Sequence, residues 1–324
     1  MLVHRAVQML SMAAAIALLA ACSGGTAVIA HRPSSGPYVL NTIRPSRYAC
    51  PATGPLKYVS DGRDHAIDVF AGKFAEQAPC AQLALSSLQN PQGLFVQPRT
   101  HDLYVANTGA GDVIVFHRGD TTPYNTYSDP SNQAPQDVTV ASDGTVIASN
   151  VVSAGVERGS ISTWIGGPNG GIFVGNFPMP DQAMGGSITV QANGTVYYND
   201  LDGTLWSLSC PGGACGPQTQ VAGVSFVFSG GLGSDMTDDL LAIDQGASRL
   251  DTFELPDPTP STIPLTHPAG MAINRLDHHL FVTDPADNTV AEYTYPGGAL
   301  IGTIHFTLGG VGYGIAVDPG HALK

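Results

Sequence analysis

GIAVDP at residues 314–319 and LKYVSD at residues 56–61 decide the fold of this 324-residue chain. Elsewhere, segments of these two kinds occur as consecutive pairs, as in GLFVQP (93–98) followed by DLYVAN (102–107). GIAVDP is not followed by a segment of the second kind, and LKYVSD is not preceded by a segment of the first kind. The C-terminal segment can therefore supply the missing partner of the N-terminal one. A repeat array of this kind is expected to close into a ring.

Three recurring segments alternate apolar with small or polar residues, which is the period-two pattern of a β-strand. The first, strand a, recurs at intervals of about 38–50 residues as GLFVQP, DVTVAS (137–142), SITVQA (187–192), a degenerate copy near 231–236, GMAINR (270–275) and GIAVDP. The second, strand b, has six copies, at 56–61, 102–107, 145–150, 195–200, 240–245 and 279–284. The third, strand c, also has six, at 65–70, 112–117, 160–165, 204–209, 249–254 and 289–294.

A weaker fourth strand is visible at 80–85, 172–177 and 303–306. Four strands per repeat at this period predict an all-β, six-bladed β-propeller of four-stranded antiparallel blades. Its last blade would combine the C-terminal strand with the strands of residues 56–85, which removes exposed sheet edges. The 39 glycines and 24 prolines, about a fifth of the chain, suit a fold with many tight turns.

The first 21 residues have the layout of a secretion signal, since His4 and Arg5 precede an apolar run too short to remain as a membrane helix. The run ends in Leu-Ala-Ala-Cys22, which is similar to the bacterial lipobox, whose cysteine is lipidated after cleavage. The alternative is an ordinary signal peptide followed by a chance cysteine. We therefore expect a lipoprotein signal peptide at 1–21, a lipidated flexible tether at 22–50 and the propeller at 51–324.

The charge balance excludes one class of partner. Without residues 1–21 the chain has 12 basic and 26 acidic side chains, a formal charge of −14. Such a surface repels nucleic acids and anionic lipid headgroups, so we expect no nucleic-acid partner. Membrane attachment through lipid on Cys22 is consistent with this charge and places the protein in the bacterial cell envelope, outside the cytoplasm.

Four further cysteines predict two disulfides, because their number is even and the expected compartment is oxidising. Cys210 and Cys215 flank a PGGA turn, so the simplest bridge joins them and leaves Cys50 to pair with Cys80. Zinc is the alternative for a cysteine pair, but the four-residue spacer is wide and no histidine cluster is near.

The repeat words resemble those of NHL-type propellers over residues 54–324. Pro-x-Gly opens strand a at Pro91-Gln92-Gly93 and Pro268-Ala269-Gly270, and Pro135-Gln136-Asp137 has Asp in place of Gly. An aromatic-Val-x-Asp/Asn word ends strand b at 104–107 and 281–284. The resemblance implies a fold that hosts both binding modules and enzymes.

Strand b ends in an Asp or Asn in every blade: Asp61, Asn107, Asn150, Asp200, Asp244 and Asp284. Because strand a starts at the same end, these side chains are expected on one face, with further acids at Asp202 and Asp287 in the b–c turns. Two hypotheses follow. The side chains accept backbone N–H bonds in their own turns, or several of them hold calcium, which prefers six to eight oxygen ligands.

Two enzyme families with similar repeats offer a comparison. Gluconolactonase- and regucalcin-like propellers hold an axial metal with a Glu, an Asn and an Asp, yet this chain has no Glu-Gly-Pro element, and Gln92 and Ala269 occupy the position of the Asn. Streptogramin-lyase-like propellers need a histidine base, for which His267 is the best-placed candidate.

Common nucleophile, zinc-protease and phosphate-loop motifs are missing, so we expect no catalytic residues. The sequence favours a monomeric, non-enzymatic propeller that binds a protein or small molecule on the face of the b–c turns and blade junctions. Gln92, Gln136 and His267 are further candidates on that face. The alternatives are a calcium-dependent lactonase-like hydrolase or lyase, with Asp200, Asp244 and Asp284 as ligands, and a structural envelope component.

Overall fold

The computed structural model describes residues 49–62, 64–72, 78–131, 133–151, 158–167, 170–180, 184–274, 278–305 and 312–320. All of them belong to one compact unit, Ile43–Lys324. The proposed signal peptide at 1–21, Cys22 and nearly all of the tether lie outside the described residues. Within the described ranges, no helix has the length and apolar character that crossing a membrane requires.

The described residues form 24 strands and one short 3-10 helix at Pro211–Gly213. The strands make six four-stranded antiparallel sheets, as the repeat period predicted. From inner to outer strand, the closing blade consists of β24 (Gly312–Asp318), β1 (Leu56–Asp61), β2 (Ala66–Ala71) and β3 (Ala81–Ala84). The second blade consists of β4 (Pro91–Val96), β5 (Leu103–Asn107), β6 (Asp112–Phe116) and β7 (Asn125–Ser128), and the third of β8 (Pro135–Val140), β9 (Thr145–Asn150), β10 (Ser160–Ile165) and β11 (Ile172–Pro178).

The other three blades repeat this order. The fourth consists of β12 (Gly185–Val190), β13 (Thr195–Asp200), β14 (Thr204–Ser209) and β15 (Thr219–Ser225). The fifth consists of β16 (Ser229–Ser234), β17 (Leu240–Asp244), β18 (Arg249–Phe253) and β19 (Ser261–Pro264). The sixth consists of β20 (Met271–Asn274), β21 (His279–Asp284), β22 (Thr289–Thr294) and β23 (Leu300–His305).

Five of the inner strands, in the closing blade and the second to fifth blades, start about two residues before the predicted strand a. The cause is a register shift where the inner strand meets its neighbour, seen for example between Pro91 and Leu94 and between Gly185 and Ile188. The extra residue in such a bulge bends the strand. It also places the Pro91-Gln92-Gly93 word inside β4, whereas Pro268-Ala269-Gly270 precedes β20.

The hydrophobic core lies between neighbouring blades. Six clusters of buried side chains are found among the described residues, and each joins two adjacent blades. The cluster that includes Val59, Phe70, Phe281 and Val290 joins the sixth blade to the closing blade. Burial of apolar area therefore stabilises every junction around the ring, including the one between the sixth blade and the closing blade.

The closing blade confirms the pairing predicted from GIAVDP and LKYVSD. β24 lies antiparallel to β1, with Leu56 opposite Asp318 and Tyr58 opposite Ala316. Near the other end of the pair, the N–H of Gly314 donates to Ser60 Oγ at 2.7 Å. The innermost strand of the closing blade thus comes from the C-terminal part of the sequence.

A buried ion pair reinforces this closure. Arg118, in the turn after β6, pairs with Asp318, and its Nη2 donates to the carbonyl of Gly54 at 2.6 Å. His101 Nδ1 lies 2.8 Å from the other Asp318 carboxylate oxygen. The Asp318 side chain is fully buried and that of Arg118 is 8% exposed. Two turns of the second blade therefore hold the C-terminal strand and the residues that precede β1.

Both predicted disulfides are present, Cys50–Cys80 and Cys210–Cys215. The first ties the residues before β1 to the start of the outer strand β3, and the second closes the short helix between β14 and β15. Both pairings are confirmed.

Candidate functional site

The Asp and Asn side chains that end the second strands lie at the end of each blade where the first strand begins. Asn107 is opposite Pro91, Asp200 opposite Gly185, and Asp244 opposite Ser229. This shared face follows from the antiparallel pairing, and it is the arrangement that the sequence predicted.

On this face, five of the six side chains accept backbone N–H bonds from nearby turns or loops. Asp61 accepts from Asp64, Asp244 from Val227 and Ala247, and Asp284 from Ala286 and Asp287, at 3.0–3.1 Å. Asn107 accepts from Gln89 at 2.6 Å, and Asp200 from Thr204 at 2.9 Å. Polar side chains in turns commonly play this role. The geometry therefore supports the structural hypothesis for these residues.

Both carboxylate oxygens of Asp200 already accept hydrogen bonds, one of them from Thr204. Its second carboxylate oxygen accepts the indole N–H of Trp206 at 3.0 Å. The neighbouring Asp202 is exposed, and its pKa is raised by desolvation and by the charge of Asp200. The Asp-x-Asp-Gly segment therefore forms a capped turn in which one acid is already hydrogen-bonded through both oxygens.

Asn150 differs from the other five, since its amide donates to two buried hydroxyls, Ser160 at 3.0 Å and Ser162 at 2.8 Å. Asn176 donates to the same two hydroxyls, and Ser162 donates to Asp129 at 2.6 Å. Ser160 donates to Gln133 Oε1 at 3.4 Å, so each hydroxyl uses one donor and two acceptor positions. This network joins three strands of the third blade and has a structural role.

Among the described residues, one group of three metal-ligating side chains lies close together: His267, Asp284 and Asp287. His267 Nδ1 is 3.6 Å from Asp284 and 4.0 Å from Asp287. The structure thus brings together three of the residues proposed from the sequence. All three belong to the sixth blade and the loop that leads into it, and His267 and Asp287 are exposed. Asp244 is not part of this group.

The six inner strands surround a central cavity of about 940 Å³. Its wall is made largely of backbone and of apolar or uncharged polar side chains, among them Leu94, Leu232, Met271 and Ile315. The charged or titratable side chains that line it are few: Arg99, His101, Asp137 and the phenol of Tyr313. We call this space the channel, and the end where the first strands begin its upper end.

Side chains of the second and third blades meet at the upper end of the channel. Gln136 donates from Nε2 to Gln92 Oε1 at 2.7 Å, which links the two candidate glutamines. Next to Gln136, the Asp137 carboxylate accepts from the Ser187 hydroxyl and from the N–H of Ile188, the latter at 3.1 Å. The Ser187 Oγ in turn accepts the N–H of Leu232 at 3.1 Å. A polar chain therefore runs along the wall from the third blade to the fifth.

Asp137 fits because the facing residue is a glycine. A Cβ on Gly93 would overlap the carboxyl group and Cα of Asp137. The glycine of one Pro-x-Gly word thus provides room for the aspartate that replaces glycine in the next.

Burial raises the pKa of the Asp137 carboxyl to about 6, against the opposing effect of its hydrogen bonds to Ser187, Ile188 and Val138. All three donors are neutral. Asp137 departs from the repeat word, and it is not among the site residues predicted from the sequence. The signal was that departure itself, an acid in a position where four of the other five blades have glycine and the fourth blade has Ser187.

Comparison with known proteins supports the fold and leaves the activity open. No family model and no curated protein matches the chain. A structure from a nidogen/laminin complex is similar with a TM-score of 0.65 and 14% identity, over 82% of this chain and 98% of that one. A protein of unknown function from Bacteroides caccae is similar with a TM-score of 0.62 and 10% identity, over 82% and 99%.

An inactive virginiamycin B lyase from Staphylococcus aureus, solved with quinupristin, is similar with a TM-score of 0.51 and 13% identity, over 68% of this chain and 71% of the lyase. Similarity at these identities concerns the fold alone. The chain is thus a six-bladed β-propeller, like streptogramin B lyase and other solved propellers.

Proposed function

We propose that this protein acts outside the cytoplasm and binds a small organic molecule at the upper end of its channel. The observation that carries the proposal is the channel itself, which has a volume of about 940 Å³ and few charged groups in its wall. Small-molecule sites typically occupy about 300–1,000 Å³ and combine apolar walls with a few polar groups. The linked glutamines and the Asp137–Ser187 pair supply such groups.

The proposed compartment rests on two observations. Both disulfides join cysteines that follow the predicted secretion signal, and disulfides persist in oxidising compartments. The lipobox-like end of that signal is the basis for proposing a lipid anchor at Cys22 in a bacterial envelope.

The channel supports binding better than it supports the lactonase-like alternative. That alternative requires ligands from several blades, including Asp200 and Asp244, to surround one ion. In the structure these two carboxylates accept hydrogen bonds at their own blade ends. The one described group with suitable donors, around His267, belongs to a single blade region.

Nile red, an uncharged dye that becomes fluorescent in apolar surroundings, provides the first test. We expect it to bind the wild-type protein with one-to-one stoichiometry. Ala272 lines the channel from the inner strand of the sixth blade, so Ala272→Trp should reduce the space in the channel and weaken binding.

Ala222→Trp is the matched control, because Ala222 is exposed on the outer strand of the fourth blade. Thermal melts of both variants establish that they fold. Dye binding that is absent from the wild type, or that persists unchanged in folded Ala272→Trp, would refute the proposal.

A further inference from the structure

We propose that Asp137 binds a protonated amino group of the ligand, so that the channel selects apolar molecules that bear one ammonium group. This inference rests on the proposed function, that the channel holds a small organic ligand. It adds the chemical class of that ligand and the residue that recognises it.

The position of Asp137 is the first argument. It stands in the Pro-x-Gly word of the third blade, where the second and sixth blades have Gly93 and Gly270. Its carboxyl group occupies the space that Gly93 leaves in the wall of the channel. The residue as a whole is partly exposed and lines the channel.

The hydrogen bonds of Asp137 are the second argument. Oδ2 accepts from Ser187 and Ile188, and Oδ1 accepts from Val138 at 2.8 Å. Two carboxylate oxygens offer about four acceptor positions, so these three bonds leave one on Oδ1. The donors fix the orientation of the group while leaving its charge without a cation.

The charge of the channel is the third argument. Among the described residues, no Lys, Arg or His nitrogen forms an ion pair with Asp137. Arg99 and His101 lie in the turn after β4, at the opposite end of the channel, and His101 is bound to Asp318. The upper end therefore has an unbalanced negative charge in mostly uncharged surroundings.

An organic ammonium ion fits this site better than an inorganic cation. Calcium prefers six to eight oxygen ligands, and this site offers one carboxylate with a single open acceptor position. An ammonium group needs fewer acceptors, and charge-assisted hydrogen bonds are among the stronger ones. The apolar wall can contact the rest of an organic molecule, which it cannot do for a bare ion.

Calorimetric titration with 1-adamantanamine and 1-adamantanol tests the inference, because the two molecules have the same shape and differ in the charged group. We expect the wild type to bind the amine about 10- to 100-fold more tightly than the alcohol. Asp137→Asn retains the shape and an acceptor oxygen, and it should remove the preference. Asp137→Gly, which introduces the residue that four of the other five blades have at this position, should do the same.

Asp120→Asn is the matched control, since it removes one exposed acid in a turn outside the channel wall and should leave the preference intact. Nile red binding shows for each variant that the channel is folded and open. The amine preference should vanish in both Asp137 variants while dye binding remains.

Three results would overturn the inference and leave the proposed function standing, provided that the wild type binds Nile red in the channel. They are failure of the wild type to prefer the amine, an undiminished preference in Asp137→Asn, and displacement of the amine by millimolar-range calcium. Failure of the wild type to bind Nile red would instead refute the proposed function.

Discussion

Replacing Arg118 by Met should weaken the ring at its closing blade. Arg118 is almost completely buried, and it joins the turn after β6 to Asp318 at the end of β24 and to the carbonyl of Gly54 before β1. Met fills much of the same volume but cannot pair with the carboxylate. The variant leaves the fully buried Asp318 beside His101 without its guanidinium partner.

The expected loss can be worked out from these contacts. Removing one partner of a buried ion pair costs about 3–5 kcal/mol, because the remaining charge stays desolvated. Stabilities of native proteins are about 5–15 kcal/mol, so the loss is a large fraction of the total. For a domain of this size, about 2–3 °C per kcal/mol predicts a melting temperature lower by about 6–15 °C.

Thermal unfolding followed by circular dichroism measures this loss. Arg99→Met is the control, since Arg99 is exposed and should tolerate the same replacement within about 0.5 kcal/mol. The double variant Arg118→Met/Asp318→Asn should be no less stable than Arg118→Met, because an amide is buried at lower cost than an unpaired carboxylate. A melting temperature of Arg118→Met within about 2 °C of the wild type would show that the ion pair does not hold the closure.

Three further outcomes are expected. Replacing both cysteines of Cys50–Cys80 by Ser should lower the free energy of unfolding by about 3.5 kcal/mol, because the bridge closes a loop of 30 residues. The same change at Cys210–Cys215, where the loop has 5 residues, should lower it by about 2 kcal/mol. Equal losses of the two variants in urea unfolding would contradict this expectation. Asp137→Asn should stabilise the protein at pH 7 by at most about 3 kcal/mol, because the pKa of Asp137 is raised to about 6 in the folded state. The wild type loses this amount of stability as the pH rises from about 4 to 6, whereas the Asn variant does not. A stability difference between the two proteins that persists at pH 3.5 would contradict the raised pKa. Calcium and chelator should leave the melting temperature unchanged, whereas a site filled at 100 times its Kd would stabilise the protein by about 2.7 kcal/mol.

The architecture could be predicted because the same local pattern recurs six times. Alternation and spacing identified the strands, and the unmatched segments at the two ends predicted the pairing of β1 with β24. The exact starts of several inner strands could not be predicted, because the bulges that shift them depend on contacts with the neighbouring strand. The outer strands β7, β15 and β19 were also missed, since their sequences show little alternation.

The candidate site was less predictable. The turn acids were found because they repeat, and repetition already favoured the structural role that their hydrogen bonds now support. Asp137 does not repeat, and its meaning depends on the facing Gly93 and on Ser187 in the next blade. Those three residues come together only when the blades are arranged around the channel.

The Cys50–Cys80 bridge also determines how the ring responds to a mechanical load. The N–H of Ala49 donates to the carbonyl of Cys80 at 3.0 Å, and the disulfide joins the next residue, Cys50, to Cys80 as well. A pull on the N-terminal segment therefore reaches the rim of the closing blade, beside β3, and bypasses residues 51–55. The paired strands β1 and β24 do not carry this force. Reduction of the disulfide would direct the force to the pair of strands β1 and β24, which would then be held by their own hydrogen bonds and by the contacts of Arg118.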